Sequence, residues 1–153
     1  MEPARVLLDT DVIINWLIQE TETTSNEELW KAPHRIIKLI EEKDISGFIS
    51  LTTLLEIRFL LRRKKKYSFQ QIEDDIRKLT TVLDVIILDG IHLIKANTLQ
   101  IDLPLDPFDA IHLAVSITSS PIILLSRDKD FLRISKQFVK AITPEEFLKE
   151  NFL

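Results

Sequence analysis

Short apolar runs separated by longer amphipathic stretches constrain this chain more than any other feature. Arg5–Leu8, Gly47–Leu51, Val85–Leu88, Ile122–Ser126 and Phe138–Ile142 each read as a brief strand. Strands that are apolar throughout, rather than on alternate residues, are buried on both faces, which is the condition of a parallel sheet covered by helices. The intervening segments carry helical spacing, as in Ile36, Ile37, Leu39 and Ile40 after Pro33. The expectation is therefore an α/β fold of three layers, α/β/α, around a mostly parallel central sheet. No repeat or linker interrupts the pattern, so residues 1–153 read as a single domain.

Local signals set most helix boundaries. Val12–Gln19 reads as a helix, followed by a polar loop over Glu20–Lys31. Thr52 is the expected N-cap of a helix over Thr53–Lys65. Ser68 and Gln71 match a capping box for a helix reaching about Leu83. Gly90 to about Gln100 is helical, and Asp106-Pro107 opens another helix with proline at its first position. Thr143-Pro144-Glu145-Glu146 caps a terminal helix.

The chain has no cysteine. Disulfides, thiolate metal sites and cysteine nucleophiles are thereby excluded together, which suits a cytoplasmic protein. The longest apolar runs, Val12–Ile18 and Pro121–Leu125, fall short of the roughly 20 residues a bilayer span requires. No membrane association is expected. A net charge of −4 argues against a general nucleic-acid coat. One strong basic patch nevertheless stands out, Arg62-Arg63-Lys64-Lys65-Lys66, with Arg58 nearby. It reads either as a phosphate grip or as a solvated helix end favoured by the helix dipole.

Acidic residues are plentiful, so position matters more than number. Asp9 directly follows the first strand, and Asp128 follows a later strand by two residues. Ligands of open parallel sheets bind beyond the carboxyl ends of the strands, where these two acids could converge. Glu56 lies on a largely apolar helix between Leu55 and Ile57, where burial demands a cation or a donor. Asp109 sits in the first turn of the helix after Pro107. Four acids meeting at one point would repel and raise one another's pKa, a conflict that a hard cation such as Mg²⁺ or Mn²⁺ removes. Each acid also has a structural reading. Asp9 could cap the following helix, Asp109 could partner Asp106 in a cap, Glu56 could pair with Arg58, and Asp128 with Asp130 could be turn residues. His112 reads as a core or helix-packing residue rather than a ligand.

In order along the chain, the segments Leu7-Leu8-Asp9-Thr10-Asp11-Val12, Ser50-Leu51-Thr52-Thr53-Leu54-Leu55-Glu56, Leu105-Asp106-Pro107-Phe108-Asp109-Ala110-Ile111-His112, Leu124-Leu125-Ser126-Arg127-Asp128 and Ile142-Thr143-Pro144-Glu145-Glu146 resemble the PIN-domain nucleases, above all the VapC-type toxin ribonucleases. Each motif is short; their order and spacing carry the resemblance over nearly the whole chain. It implies a Mg²⁺- or Mn²⁺-dependent endoribonuclease in which Asp9, Glu56, Asp109 and Asp128 form the acidic quartet. Thr10 and Ser126 match the family's small hydroxyl positions, which orient carboxylates or phosphate. Asp11 and Asp130 are further candidate ligands. Arg62, Arg63 and Lys64 are candidate contacts to the RNA backbone. The resemblance also implies a small antitoxin partner and a homodimer.

Three other readings compete. One is a PIN-fold RNA-processing nuclease without an antitoxin, and another is an inert module that binds RNA or protein. The third is a haloacid-dehalogenase-like phosphatase, suggested by Asp9-Thr10-Asp11. That family continues with Gly-Thr where this chain has Val12-Ile13.

Overall fold

The computed structural model describes residues 2–19, 24–64 and 66–152. Lys65 of the basic run and residues 20–23 of the expected loop lie outside the described residues. Within them the order is β1 (Arg5–Leu8), α1 (Thr10–Leu17), α2 (Lys31–Glu41), β2 (Ser46–Ser50), α3 (Leu51–Arg62), α4 (Phe69–Val82), β3 (Asp84–Ile86), α5 (Gly90–Asp102), α6 (Pro107–Thr118), β4 (Ile123–Leu125), α7 (Lys129–Ser135), β5 (Ala141–Ile142) and α8 (Pro144–Phe152). The five strands form one sheet in the order β3-β2-β1-β4-β5, and every pairing is parallel. The sheet expected to be mostly parallel is thus wholly so.

Alternation along β1 divides the core. Val6 and Leu8 face one layer with Ile49, Ile57, Leu61, Ile72, Leu79 and Phe147, which come from β2, α3, α4 and α8. Leu7, between them, faces the other layer with Leu124, Ala110, Leu113, Phe131 and Leu132. Both faces of the sheet are therefore covered, as the apolar strands require. At Gly47 of β2 an added β-carbon would meet Leu83 Cδ2 at 2.8 Å and press into Ile40 as well. Glycine there lets the Ile40 and Leu83 side chains pack directly against the strand, and any larger residue would force both to shift.

Local signals were obeyed where both partners lie within one turn. Ser68 and Gln71 form the expected capping box. Asp106 caps α6 through the Asp109 backbone N–H, with Pro107 in the first turn. Most expected boundaries shift by a residue or two, and three departures are larger or informative. The helix expected from Thr53 with Thr52 as cap begins at Leu51, with Ser50 in the cap position and no side-chain cap bond. The chain turns straight from strand to helix, and Thr52 and Thr53 are buried inside the first turn. Phe138 lies in a turn, so the last strand shortens to Ala141–Ile142. The seven-residue helix α7 was not anticipated, because a run that short carries barely two turns of periodicity.

Candidate active site

The strand order reverses at β1, with β2 on one side and β4 on the other. Chains leaving the carboxyl ends of β1 and β4 diverge there and open a crevice, the usual ligand position of such sheets. A hollow of about 350 Å³ lies at that point. Asp9, Thr10, Asp11, Asn15, Glu56, Asp106, Asp109 and Asp128 line it together with Ile14 and Leu60. The four acids expected to converge, scattered over the sequence, thus line one cavity.

Each acid is held by its own local geometry. Asp9 is the N-cap of α1, its Oδ1 accepting from the Thr10 N–H at 2.9 Å. Its Oδ2 accepts from Ser126 Oγ at 2.8 Å, across the β1–β4 boundary. Burial drives the Asp9 pKa up, against the pull of His112 and of the Ser126 and Thr10 bonds. Glu56, on the sixth residue of α3, accepts at Oε1 from Thr10 Oγ1 at 2.7 Å. Arg58, its possible partner, instead forms a two-pronged pair with Glu73 at 2.9 and 3.1 Å. Asp128 caps α7, accepting from the N–H groups of Asp130 and Phe131. Asp9 and Asp128 therefore each cap a helix and also line the hollow.

Asp109 and Asp11 bear the cost of this crowding. Burial first, then the charges of Asp9, Asp106 and Asp128, push the Asp109 carboxyl up to about 7. Burial and the neighbouring Asp9 likewise push Asp11 to about 7. Asp11 Oδ2 accepts from the Arg127 N–H at 3.0 Å, while its Oδ1 is buried with no hydrogen-bond partner. An orphaned buried oxygen and two carboxylates pushed toward neutrality mark an excess of negative charge awaiting a counter-ion. Among the described residues, no three His, Asp or Glu side chains are set to hold an ion together as they stand. Asp9, Glu56 and Asp128 are each turned to hydrogen-bond donors of their own. The donor set is entirely oxygen and anionic, which fits Mg²⁺ or Mn²⁺ and not a soft metal.

The other expected site residues divide. Thr10 and Ser126 are both buried and donate to Glu56 and Asp9, so they orient carboxylates. Asp130 is 88% exposed in its side chain, pairs with Arg133 and does not line the hollow. Arg62, Arg63 and Lys64 stand exposed at the far end of α3, about 9 Å along the axis from Glu56 at 1.5 Å per residue. Arg62 lies over the Phe69 ring and Arg63 over the Phe59 ring.

Three side chains escaped the sequence reading. Asp106 and Asn15 line the hollow. Arg127 pins its rim. Its guanidinium donates to Glu145 through two bonds of 2.7 Å, to the Leu29 carbonyl at 2.6 Å, and to Asn15. A lone arginine amid Ser126, Asp128 and Asp130 was the available signal, but its partners lie 18 to 112 residues away.

These charges fix a pH response. Asp11 and Asp109 hold protons in the folded state up to about pH 7, whereas in the unfolded chain they release them near 3.8. Folding therefore takes up protons across that window, and stability must fall as pH rises from about 4 through about 7. His112 acts in the same direction. Burial disfavours its charge, but the Glu56 hydrogen bond and the surrounding carboxylates hold its pKa above the ordinary value. Its contribution is complete below about 6.5 and is lost at higher pH. Thermal melting in chelator should give a lower Tm at pH 8 than at pH 5. A higher Tm at pH 8 would contradict the crowding of the acids.

A family model described as PIN domain matches residues 5–130 of the chain. A search of curated proteins gives no match. Among solved structures, the chain is similar to one described as VapBC2 from Rickettsia felis bound to a DNA fragment from the promoter. The TM-score is 0.66 and the identity 15%, covering 89% of this chain and 97% of that one. A toxin–antitoxin complex from Klebsiella pneumoniae aligns with a TM-score of 0.64 at 20% identity, over 91% and 97% of the two chains. DNA-bound VapBC from Salmonella typhimurium gives 0.64 at 16%, over 92% and 98%.

Proposed function

The chain belongs to the PIN domain family, and on that premise we propose that it is a Mg²⁺- or Mn²⁺-dependent endoribonuclease, the toxin of a VapBC-type pair. One observation carries the reading. Carboxylates delivered by the end of β1, by α3, by the start of α6 and by the start of α7 share one hollow. Stability alone gives no reason to gather them, since crowding and burial push Asp109, and Asp11 beside them, up to about 7 and also raise Asp9.

Asp9, Asp109, Asp128 and Glu56 are the proposed metal-binding carboxylates, Asp9 and Asp109 directly and Asp128 directly or through water, with Asp11 as the reserve oxygen. When bound, the ion neutralises charge developing on a scissile phosphate and lowers the pKa of a water. Glu56 orients or deprotonates the attacking water. Ser126 and the start of α1 keep Asp9 aimed, and Thr10 does the same for Glu56. Arg62, Arg63 and Lys64 hold the RNA backbone beyond the hollow.

The partners, a small antitoxin and a second copy of the chain, are implied by the toxin reading, and the surface offers a place for each. An apolar groove lined by Leu55, Phe59, Leu60 and Phe108 adjoins the hollow, with Glu56 and Leu60 common to both. It suits an apolar segment of an antitoxin whose basic side chain enters the acidic cavity. Ile91, Ile94 and Ile101 stand exposed on α5, with Ile87 just before it, and offer a face for a homodimer. We read the chain as one domain acting in the cytoplasm. Among the described residues no helix is long and apolar enough to cross a membrane.

The test is incubation of purified protein with single-stranded and structured RNA in Mn²⁺, with and without chelator. Cleavage is expected only with free metal. Mn²⁺ should also raise Tm in proportion to occupancy of the site. Cleavage that persists in excess chelator would refute the metal role, and absence of both cleavage and stabilisation would refute the nuclease reading.

A further inference from the structure

His112 is 1% exposed and lies behind the acidic hollow rather than in it. A buried imidazole is costly unless its polar atoms are satisfied, and here both ring nitrogens are engaged. Nε2 is 3.0 Å from Glu56 Oε1 and 3.6 Å from Asp9 Oδ1. Nδ1 is 3.3 Å from the Oγ of Ser50, the fully buried last residue of β2. Three elements therefore meet at one ring carried by a fourth, α6. Glu56 Oε1 already accepts from Thr10 Oγ1. The second bond, from Nε2–H, saturates the same oxygen, and neither bond touches Oε2.

We propose that His112 is a positioning residue, bridging Glu56 and Asp9 through Nε2–H and braced by Ser50, so that Oε2 is the Glu56 oxygen left for the site. The proposal rests on the metal-dependent reading above. The geometry selects histidine on two counts. A leucine or phenylalanine would fill the space but could not donate to a carboxylate. A lysine would bring charge without a second ring nitrogen for Ser50. The device belongs to metal sites generally, where the group behind a ligand sets its orientation and is worth 10- to 100-fold in affinity or activity, roughly.

Mn²⁺ affinity, read from the free-ion electron paramagnetic resonance signal, tests it. His112→Leu should weaken binding by about 10- to 100-fold. His112→Gln, whose amide N–H can take the place of Nε2–H, should recover most of that loss. Equal loss in both variants, or no loss in His112→Leu, would overturn positioning while wild-type binding upholds the metal reading. No Mn²⁺ binding by the wild-type protein would overturn the metal reading and the proposal with it. Should His112→Leu not fold, nitrogen resonances of the wild-type ring decide. A proton on Nε2 is expected in metal-free protein, and a bare Nε2 would overturn the bridge.

Discussion

Asp9→Asn is expected to reduce RNA cleavage by roughly 10²- to 10³-fold while leaving the metal-free fold at least as stable as the wild type. The loss follows from charge. A metal contributes several kcal/mol of transition-state stabilisation, and each 1.4 kcal/mol or so corresponds to a factor of ten in rate. The retained stability follows from the environment of Asp9, whose buried carboxyl is held above its usual pKa. An amide of the same shape can still accept from the Thr10 N–H and can donate to Ser126 Oγ. It also removes one anion facing Asp11 and Asp109, each of which feels the Asp9 charge. The two readouts are initial cleavage rate in Mn²⁺ and Tm in chelator. A variant that cuts at the wild-type rate would remove Asp9 from the chemistry. One that melts well below wild type would show the carboxylate to be structural.

Arg127→Ala should produce the largest loss of stability available at the rim, about 2–4 kcal/mol. Removing one member of a buried ion pair costs about 3–5 kcal/mol, less where a partner is solvated. The arginine side chain is 16% exposed and that of Glu145 is 41%, so the upper figure does not apply. Part of the loss comes from the side-chain bonds to Asn15 Oδ1 and to the Leu29 carbonyl, both of which lose the guanidinium as donor. The substitution also removes the side-chain ties from the β4–α7 connection to Asn15 of α1 and Glu145 of α8, leaving the backbone bond to Asp11. Urea unfolding should show a lower midpoint at unchanged slope. Arg127→Lys should recover only part of it, because a single ammonium cannot form the two-pronged pair with Glu145. A midpoint within error of wild type would mean that the guanidinium bonds merely replace equivalent bonds to water.

The fold was largely legible because its signals are local or periodic. Apolar runs announced a sheet covered on both faces, and the Ser68–Gln71 and Asp106–Asp109 caps close within one turn of chain. Errors arose where periodicity was too brief, as in α7, or where a strand turned directly into a helix at Ser50–Leu51. The acids Asp9, Glu56, Asp109 and Asp128 were legible as candidates from their positions after strands and at helix starts. Asp130, two residues from Asp128, was not separable from it by spacing, yet it faces solvent and pairs with Arg133.

The amino-acid order alone thus determined most of the strands and helices, α7 excepted, and that carboxylates would stand where strands end. Only the tertiary structure decided which donors face them. Crossing connections bring Thr10 to Glu56, Ser126 to Asp9, His112 to both acids and Arg127 to Asn15 over separations of 46 to 117 residues. Side-chain pairing at such range depends on the order and register of the strands, which no local pattern encodes.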